Sequence, residues 1–384
     1  MKKCVIVSDT FKGTLTSREI GEIAKEVILR IFPDCEIVTV PVADGGEGTV
    51  ECFMAALHTP PVSVEVQGPY GETVLATYTR TGTKAIIEMS SAAGLPLVGE
   101  HKDPKVTSTY GVGQIIRHAI EHGCREILLG LGGSATNDGG CGCAAALGVE
   151  FLDAEGKSFI PTGGTLSRIE HIDLEPCRRL LKDVRITAMC DITNPLFGPL
   201  GAAYVYGPQK GADYETVLQL DEQLRCLNHR IERELGLSIS QCPGAGAAGG
   251  MGAGCVAFFG AELKSGIDAI LNLVDFDACM EGADLIITGE GRIDAQSVNG
   301  KVLSGILKRT RHKDIPLIAV VGSISESAAS AYEMGVTAMF TINREALDFE
   351  KSACKSRENY KNTLEDILRL VRAIERRGKN AGSR

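Results

Sequence analysis

The sequence predicts an α/β protein of two different α/β domains: a discontinuous Rossmann-like domain from both chain ends and an inserted mixed-sheet domain between them. Three observations lead there. Both ends alternate short apolar runs with helix-period segments, the pattern of βα units. Residues 62–89 instead break into short strand-like runs parted by Gly68-Pro69-Tyr70-Gly71 and Thr81-Gly82-Thr83, turn signals of antiparallel hairpins. The chain also has 384 residues, enough for two domains at roughly 100–200 residues apiece. The expected division sets 1–61 and 263–384 against 62–262.

Taken in order, Lys3–Val7 is an apolar strand, and Thr16-Ser17-Arg18-Glu19 is a capping box opening a helix. Ile20, Ile23, Ala24, Val27, Ile28 and Ile31 recur at helical spacing, so one face is buried. Glu36–Val40 follows as a strand, and a parallel pair with a helical crossover results. Val62–Gln67, Thr73–Tyr78 and Ala85–Met89 are the hairpin strands. Alternation resumes with a helix at Gln114–His122, a strand at Ile127–Leu131, a helix at Gly139–Leu147 and a strand at Arg185–Cys190. Tyr214–Leu235 is a long amphipathic helix with Val217, Leu220, Leu224, Leu227 and Ile231 along one side. Beyond the Gly/Ala stretch 244–254, strands are expected at Leu285–Thr288, Leu317–Val321 and Ala338–Ile342, and a closing helix near Asn359–Glu375.

Composition narrows the function classes. Forty basic against 49 acidic residues leave a net charge of −9, so no general footprint for nucleic acid or an anionic membrane is present. No stretch reaches the roughly 20 apolar residues of a spanning helix. The opening apolar run is too short for a secretory leader, and 13 irregularly spaced Cys suit reduced thiols in the cytoplasm. Glycine is abundant, at 45 residues, and clustered, which marks loops where backbone approaches something closely.

Four such clusters follow predicted strands. Gly130–Gly140 interleaves five glycines with Ser134, Thr136, Asn137 and Asp138 before a helix start. Backbone N–H groups crowded by glycine at a helix N-terminus suit an anion or phosphate. Val42–Thr49 carries Asp44 and Glu47 among three glycines, suggesting a polar ligand or a cation-linked role. Ser8-Asp9-Thr10-Phe11-Lys12 sits where open α/β sheets bind ligands, and Lys12 is a mobile cation for phosphate or carboxylate. Thr288–Ser297 sets Glu290, Arg292, Asp294 and Gln296 within seven residues directly after a strand, a poor simple turn that reads as a site. Asp191 ends a further strand, as a turn cap or as a base or metal ligand, and Lys210 lies between glycines.

Several matches carry less. Gly244–Gly249 satisfies GxGxxG, but no convincing strand precedes it and no acid lies about 20 residues on. Gly300-Lys301 lacks the rest of a Walker motif. His118 and His122 have no evident third ligand, and no HExxH or Gly-x-Ser-x-Gly exists. Cys141 and Cys143 suit small-residue packing.

With these residues in view, the chain resembles the bacterial type I glycerate kinases over nearly its whole length. The resemblance rests on DTFKGTL, PVADGGEGT, GLGGSATNDGG, CDITNPLFGPLGAA, GPQKGA, GAGAAGG and GEGRIDAQS in that order. Thr10 stands where many members have Ser, which keeps the hydroxyl. The resemblance implies two different α/β domains with the active site in the cleft between them. It implies phosphorylation of D-glycerate by ATP with Mg²⁺, giving 2-phosphoglycerate. A 3-phosphoglycerate product, a nicotinamide-dependent oxidoreductase and a non-catalytic ligand sensor are the alternatives. On this footing Asp191, Lys12 and Arg292 are expected to be catalytic. Gly132, Gly133, Ser134, Thr136 and Asn137 would bind the nucleotide, and Ser8, Asp9, Asp44, Glu290, Asp294 and Lys210 the substrate. Asp138 and Asp191 would hold Mg²⁺, with the individual roles within this set left open. The expected partners are small molecules, with no nucleic acid or membrane. The sequence does not declare an oligomeric state, and a homodimer is one it allows.

Overall fold

The computed structural model describes residues 1–11, 13–40, 42, 48–293, 302–345 and 348–381. The chain separates into two compact units, Met1–Asp44 with Ile267–Arg384, and Gly45–Gly266. The junctions therefore fall at 44/45 and 266/267 rather than at 61/62 and 262/263. The Thr49–Leu57 helix accounts for the first difference. It packs on the strands Thr73–Thr81 and Lys84–Glu88, and its Val50 N–H donates to the Glu88 carboxylate.

The outer unit holds a five-stranded sheet in the order Ala338–Thr341, Leu317–Val321, Leu285–Gly289, Lys3–Ser8, Glu36–Thr39, and every pairing is parallel. Counting its strands along the chain, the order is 2-1-3-4-5. The order of strand addition reverses between Lys3–Ser8 and Leu285–Gly289. In a doubly wound sheet of this order, ligands bind outside the carboxyl ends at that switch point. Helix Ser17–Ile31 starts at the Thr16/Glu19 capping box, with the side chain of each accepting from the other's backbone N–H. It buries the predicted Ile20-to-Ile31 stripe, and each fully buried Ile contributes roughly 1.5–3 kcal/mol. The closing helix Ser356–Ala381 lies against it, and Tyr360 meets Phe11 edge-to-face with centroids 5.9 Å apart.

The inserted unit holds a six-stranded sheet in the order Glu262–Lys264, Arg185–Met189, Glu126–Gly130, Lys84–Glu88, Thr73–Thr81, Pro61–Gln67. The first four strands are mutually parallel, and the last two form the antiparallel hairpins. Helix Tyr214–Leu235 has the predicted bounds and is capped by Asp213, whose Oδ1 accepts from Thr216 N–H at 2.8 Å. A small sheet of Ser158–Phe159, Glu150–Leu152 and His171–Asp173 was not expected. No described helix is long and apolar enough to cross a membrane.

Candidate active site

In the inserted unit, Glu88, Gly130, Met189 and Lys264 stand in register across the carboxyl edge of four parallel strands. The chain leaves that edge through four segments with polar content: Met89–Ser91, Leu131–Gly140, Cys190–Asp191 and Ser265–Gly266. Parallel strands thus bring Asp191, expected only at a strand end, to the same sheet edge as the glycine loop. They also deliver Glu88, Ser90 and Ser265, which sequence reasoning missed. Glu88 is buried and accepts from Ser90 Oγ at 3.2 Å. A strand leading into Ser90-Ser91-Ala92-Ala93-Gly94 was the available signal.

The glycine loop is held from both sides. Leu131 N–H donates to Met189 O, Leu95 N–H to Gly133 O, Ala135 N–H to Ala93 O, and Thr107 Oγ1 to Ala135 O, all between 2.8 and 3.2 Å. The backbone N–H groups of Gly132, Gly133 and Ser134 have no acceptor among the described residues. Gly133 is exposed and has φ +73°, and a Cβ there would sit 3.3 Å from Ser90 Cβ. A bulky or β-branched residue is strained in that conformation.

Beneath this rim the loop turns inward. Thr136, Asn137 and Asp138 are fully enclosed. Asp138 Oδ2 accepts from Thr109 N–H and Oγ1, both at 2.8 Å, and from Gly142 N–H at 3.2 Å, while Oδ1 accepts from Gly140 N–H at 3.1 Å. Burial pushes its carboxyl up, and these four donors pull it back down. Fully enclosed, with three donors on Oδ2 and one on Oδ1, Asp138 anchors the loop in this structure. Thr136 Oγ1 and both polar atoms of the Asn137 amide have no partner among the described residues. Both residues are enclosed here, so they are not at the exposed rim of the loop with Gly133.

Lys210 lies directly under the same loop, 2 % exposed. Its Nζ donates to Ser134 Oγ and to Thr136 O, each at 2.7 Å. Burial pushes the ammonium down to about 7, while the charge of Asp138 draws it back up. An ammonium so placed cannot reach a substrate carboxylate, which corrects the expectation that Lys210 binds glycerate. At the sheet edge, Asp191 is half-buried. Its Oδ1 accepts from Ser265 Oγ at 2.6 Å and from Gly266 N–H at 3.0 Å, so the direction of its carboxylate is set.

Gly244–Gly249 ends no strand. It leads into helix Ala247–Phe259, where Ala248, Gly249 and Gly250 take left-handed dihedrals. Gly249 O accepts from Gly139 N–H at 3.1 Å, and a Cβ on Gly249 would run into the Thr136 carbonyl oxygen. The segment supports the glycine loop backbone to backbone, and no dinucleotide turn exists there.

In the outer unit, the switch point joins Ser8-Asp9 to Gly289-Glu290. Ser8 is buried and its Oγ donates to Gly289 O at 3.0 Å, while Asp9 N–H donates to the same oxygen at 2.9 Å. Ser8 thus ties the strand ends together and is not exposed to a substrate as expected. Asp9 Oδ1 accepts from Thr10 N–H at 2.7 Å. Glu290 is buried at the end of the neighbouring strand, and Arg292 is exposed beyond it. The next strand end adds Gly322, whose carbonyl accepts from Thr341 Oγ1 and from Asn343 Nδ2. Lys12, Asp44 and Asp294 lie outside the described residues.

A glycine loop with unengaged amides and a second polar strand edge at a switch point suit a small-molecule kinase. The model of the Glycerate kinase family matches residues 4–372. The chain belongs to the glycerate kinase family. It is 43% identical over 368 residues to the glycerate kinase of Bacillus cereus, covering 95% of this chain and 97% of that one. It is 42% identical over 343 residues to the glycerate 2-kinase of Escherichia coli, covering 88% and 90%. A crystal structure reported under the name glycerate kinase 2, from Salmonella typhimurium LT2, superimposes with a TM-score of 0.87. Its identity is 38%, and 98% of this chain and 99% of that one are covered. As a member of a kinase family, the chain is an enzyme with ATP as a substrate.

Proposed function

We propose that the chain transfers the γ-phosphoryl group of ATP to D-glycerate and yields 2-phosphoglycerate. The observation that carries the reading is the run of three unengaged N–H groups at Gly132–Ser134, backed by a buried ammonium. Phosphoryl transfer asks a protein mainly for positioning and for compensation of phosphate charge. In this reading the rim amides hold ATP phosphate oxygens. Asp191 orients or deprotonates the attacking hydroxyl, and Asp9, Glu290 and Arg292 at the switch point hold glycerate. Lys12, Asp44 and Asp294 keep the substrate and charge-compensating roles their motifs suggest.

Mg²⁺ characteristically takes one or two carboxylates together with substrate phosphates. No described group of three or more His, Cys, Asp or Glu is clustered for a metal, so a caged site is not what this edge provides. Asp191, half-buried with one oxygen fixed by two donors, fits a metal shared with ATP. Mg²⁺ bound there would neutralise phosphate charge. Thirteen cysteines, all free, fit a reducing cytoplasm.

The test is a coupled assay with ATP and D-glycerate, with the product resolved by phosphorus NMR. Turnover yielding the 2-phosphate is expected, and ATP-Mg²⁺ but not NAD should raise the melting temperature. Absence of turnover, or a 3-phosphate product, would overturn the assignment.

A further inference from the structure

We propose that Lys210 is a positioning residue of the nucleotide loop: anchored to Ser134 Oγ and the Thr136 carbonyl, its ammonium sets the loop backbone and acts on a bound anion through the loop without touching it. This rests on the reading that Gly132–Ser134 hold ATP phosphates.

Three observations support it. The two 2.7 Å hydrogen bonds land on either side of Ala135, at the end of the segment whose amides have no acceptor among the described residues. No carboxylate lies within ion-pair distance of Nζ among the described residues, the enclosed Asp138 acting on it only from farther off, and a buried charge without a contacting counter-ion is costly. An apolar side chain of similar length would fill the same space without that penalty. The positive charge therefore has its use at the loop, where an anion on the outer face supplies what the interior lacks. Neither hydrogen bond is to a charged group, so the two fix geometry while leaving the charge to be felt across the loop.

The experiment compares Lys210→Met, Ser134→Ala, the double variant and Gly133→Val. It measures melting temperature, ATP affinity and glycerate KM. Lys210→Met removes charge and donors with little change in volume. It should leave the ligand-free melting temperature unchanged or raised while weakening ATP at least tenfold, with glycerate KM within twofold of the parent. A residue serving only to fill the core would do the opposite, lowering stability without selecting between ligands. Ser134→Ala should weaken ATP less, and the double variant should be no weaker than Lys210→Met alone, because both act through one contact. If Lys210→Met does not fold, the ATP-selective loss in Ser134→Ala carries the test.

The proposal is overturned if the folded Lys210→Met protein binds ATP within twofold of the parent. It is overturned equally if both substrates weaken alike, or if the two losses multiply independently in the double variant. Gly133→Val separates the two levels. Should Gly133→Val weaken ATP while Lys210→Met does not, only the role of Lys210 falls. Should Gly133→Val leave ATP binding intact, the loop assignment itself falls.

Discussion

Asp138 and Lys210 are both enclosed in protein, yet they are provided for differently. The carboxylate has four donors, and the ammonium has two uncharged acceptors. Because burial brings Lys210 down to about 7 from the ordinary 10.5, the unfolded chain holds the extra proton throughout that interval. Stability should accordingly rise with pH above about 7 and carry its full penalty below it. The slope approaches ~1.4 kcal/mol per pH unit. The difference in melting temperature between the parent and Lys210→Met should shift in the parent's favour from pH 7 to 9. A flat difference would mean that the ammonium is not desolvated. Buried thiols such as Cys141 and Cys143, pushed up by burial, act oppositely only above their ordinary range and cancel in the difference. Asp191→Asn keeps an oxygen to accept from Ser265 and Gly266 but loses the charge. Turnover should fall on the order of 10²-fold with little change in melting temperature, and near-normal turnover would remove Asp191 from the chemistry. Strand-end position singled out Asp191, and flanking glycines singled out Lys210. That Lys210 points inward was not legible, because burial of a lysine is decided by what packs over it. Glu88 escaped notice because a lone acid closing an apolar strand resembles an ordinary strand terminus.

At the level of elements, long periodic segments were the most readable. Tyr214–Leu235 shows six turns of 3.6-residue spacing and has the expected ends. The strands at 150–152, 158–159 and 171–173 are two or three residues long, too short to display a period of two. Gly244–Gly254 is the instructive intermediate case. Its small residues signalled close approach, but which backbone approaches which depends on three left-handed residues in a row. Gly249→Ala places a methyl against the Thr136 carbonyl at φ +70°, whereas Gly236→Ala has a similar φ of +67° with open space around it. Both should lose about 1–2 kcal/mol from the dihedral alone. Gly249→Ala should lose more and weaken ATP as well, while Gly236→Ala leaves ATP binding unchanged. Melting temperatures and ATP affinities of the pair decide the matter, and equal behaviour would deny the turn a role in supporting the loop.

At the scale of the whole chain, the likeness of the two ends and the hairpin texture between them revealed two α/β units. The junction at 44/45 was hidden because a helix after a strand, as at Thr49–Leu57, looks like the continuation of the outer βα pattern. Only its packing on the inserted sheet reveals where it belongs. Residues Val66 to Ala261 carry a core of their own, and the strands of that unit pair within it. A fragment spanning 45–266 should therefore melt in one cooperative transition. A broad, non-cooperative melt would show that the unit depends on the outer segments.

The discontinuity also sets an order of events during synthesis. Lys3–Ser8 leaves the ribosome shortly before its partner Glu36–Thr39, yet its other edge belongs to Leu285–Gly289. At ~5–20 residues per second, that edge stays open for roughly ten to fifty seconds while the inserted unit is made and can fold. An unpaired edge on Cys4-Val5-Ile6-Val7 is a template for pairing with a neighbouring nascent chain. The interval before Leu285 emerges is thus when this protein is most exposed to aggregation, and chaperone binding to the segment 3–39 would be most useful then.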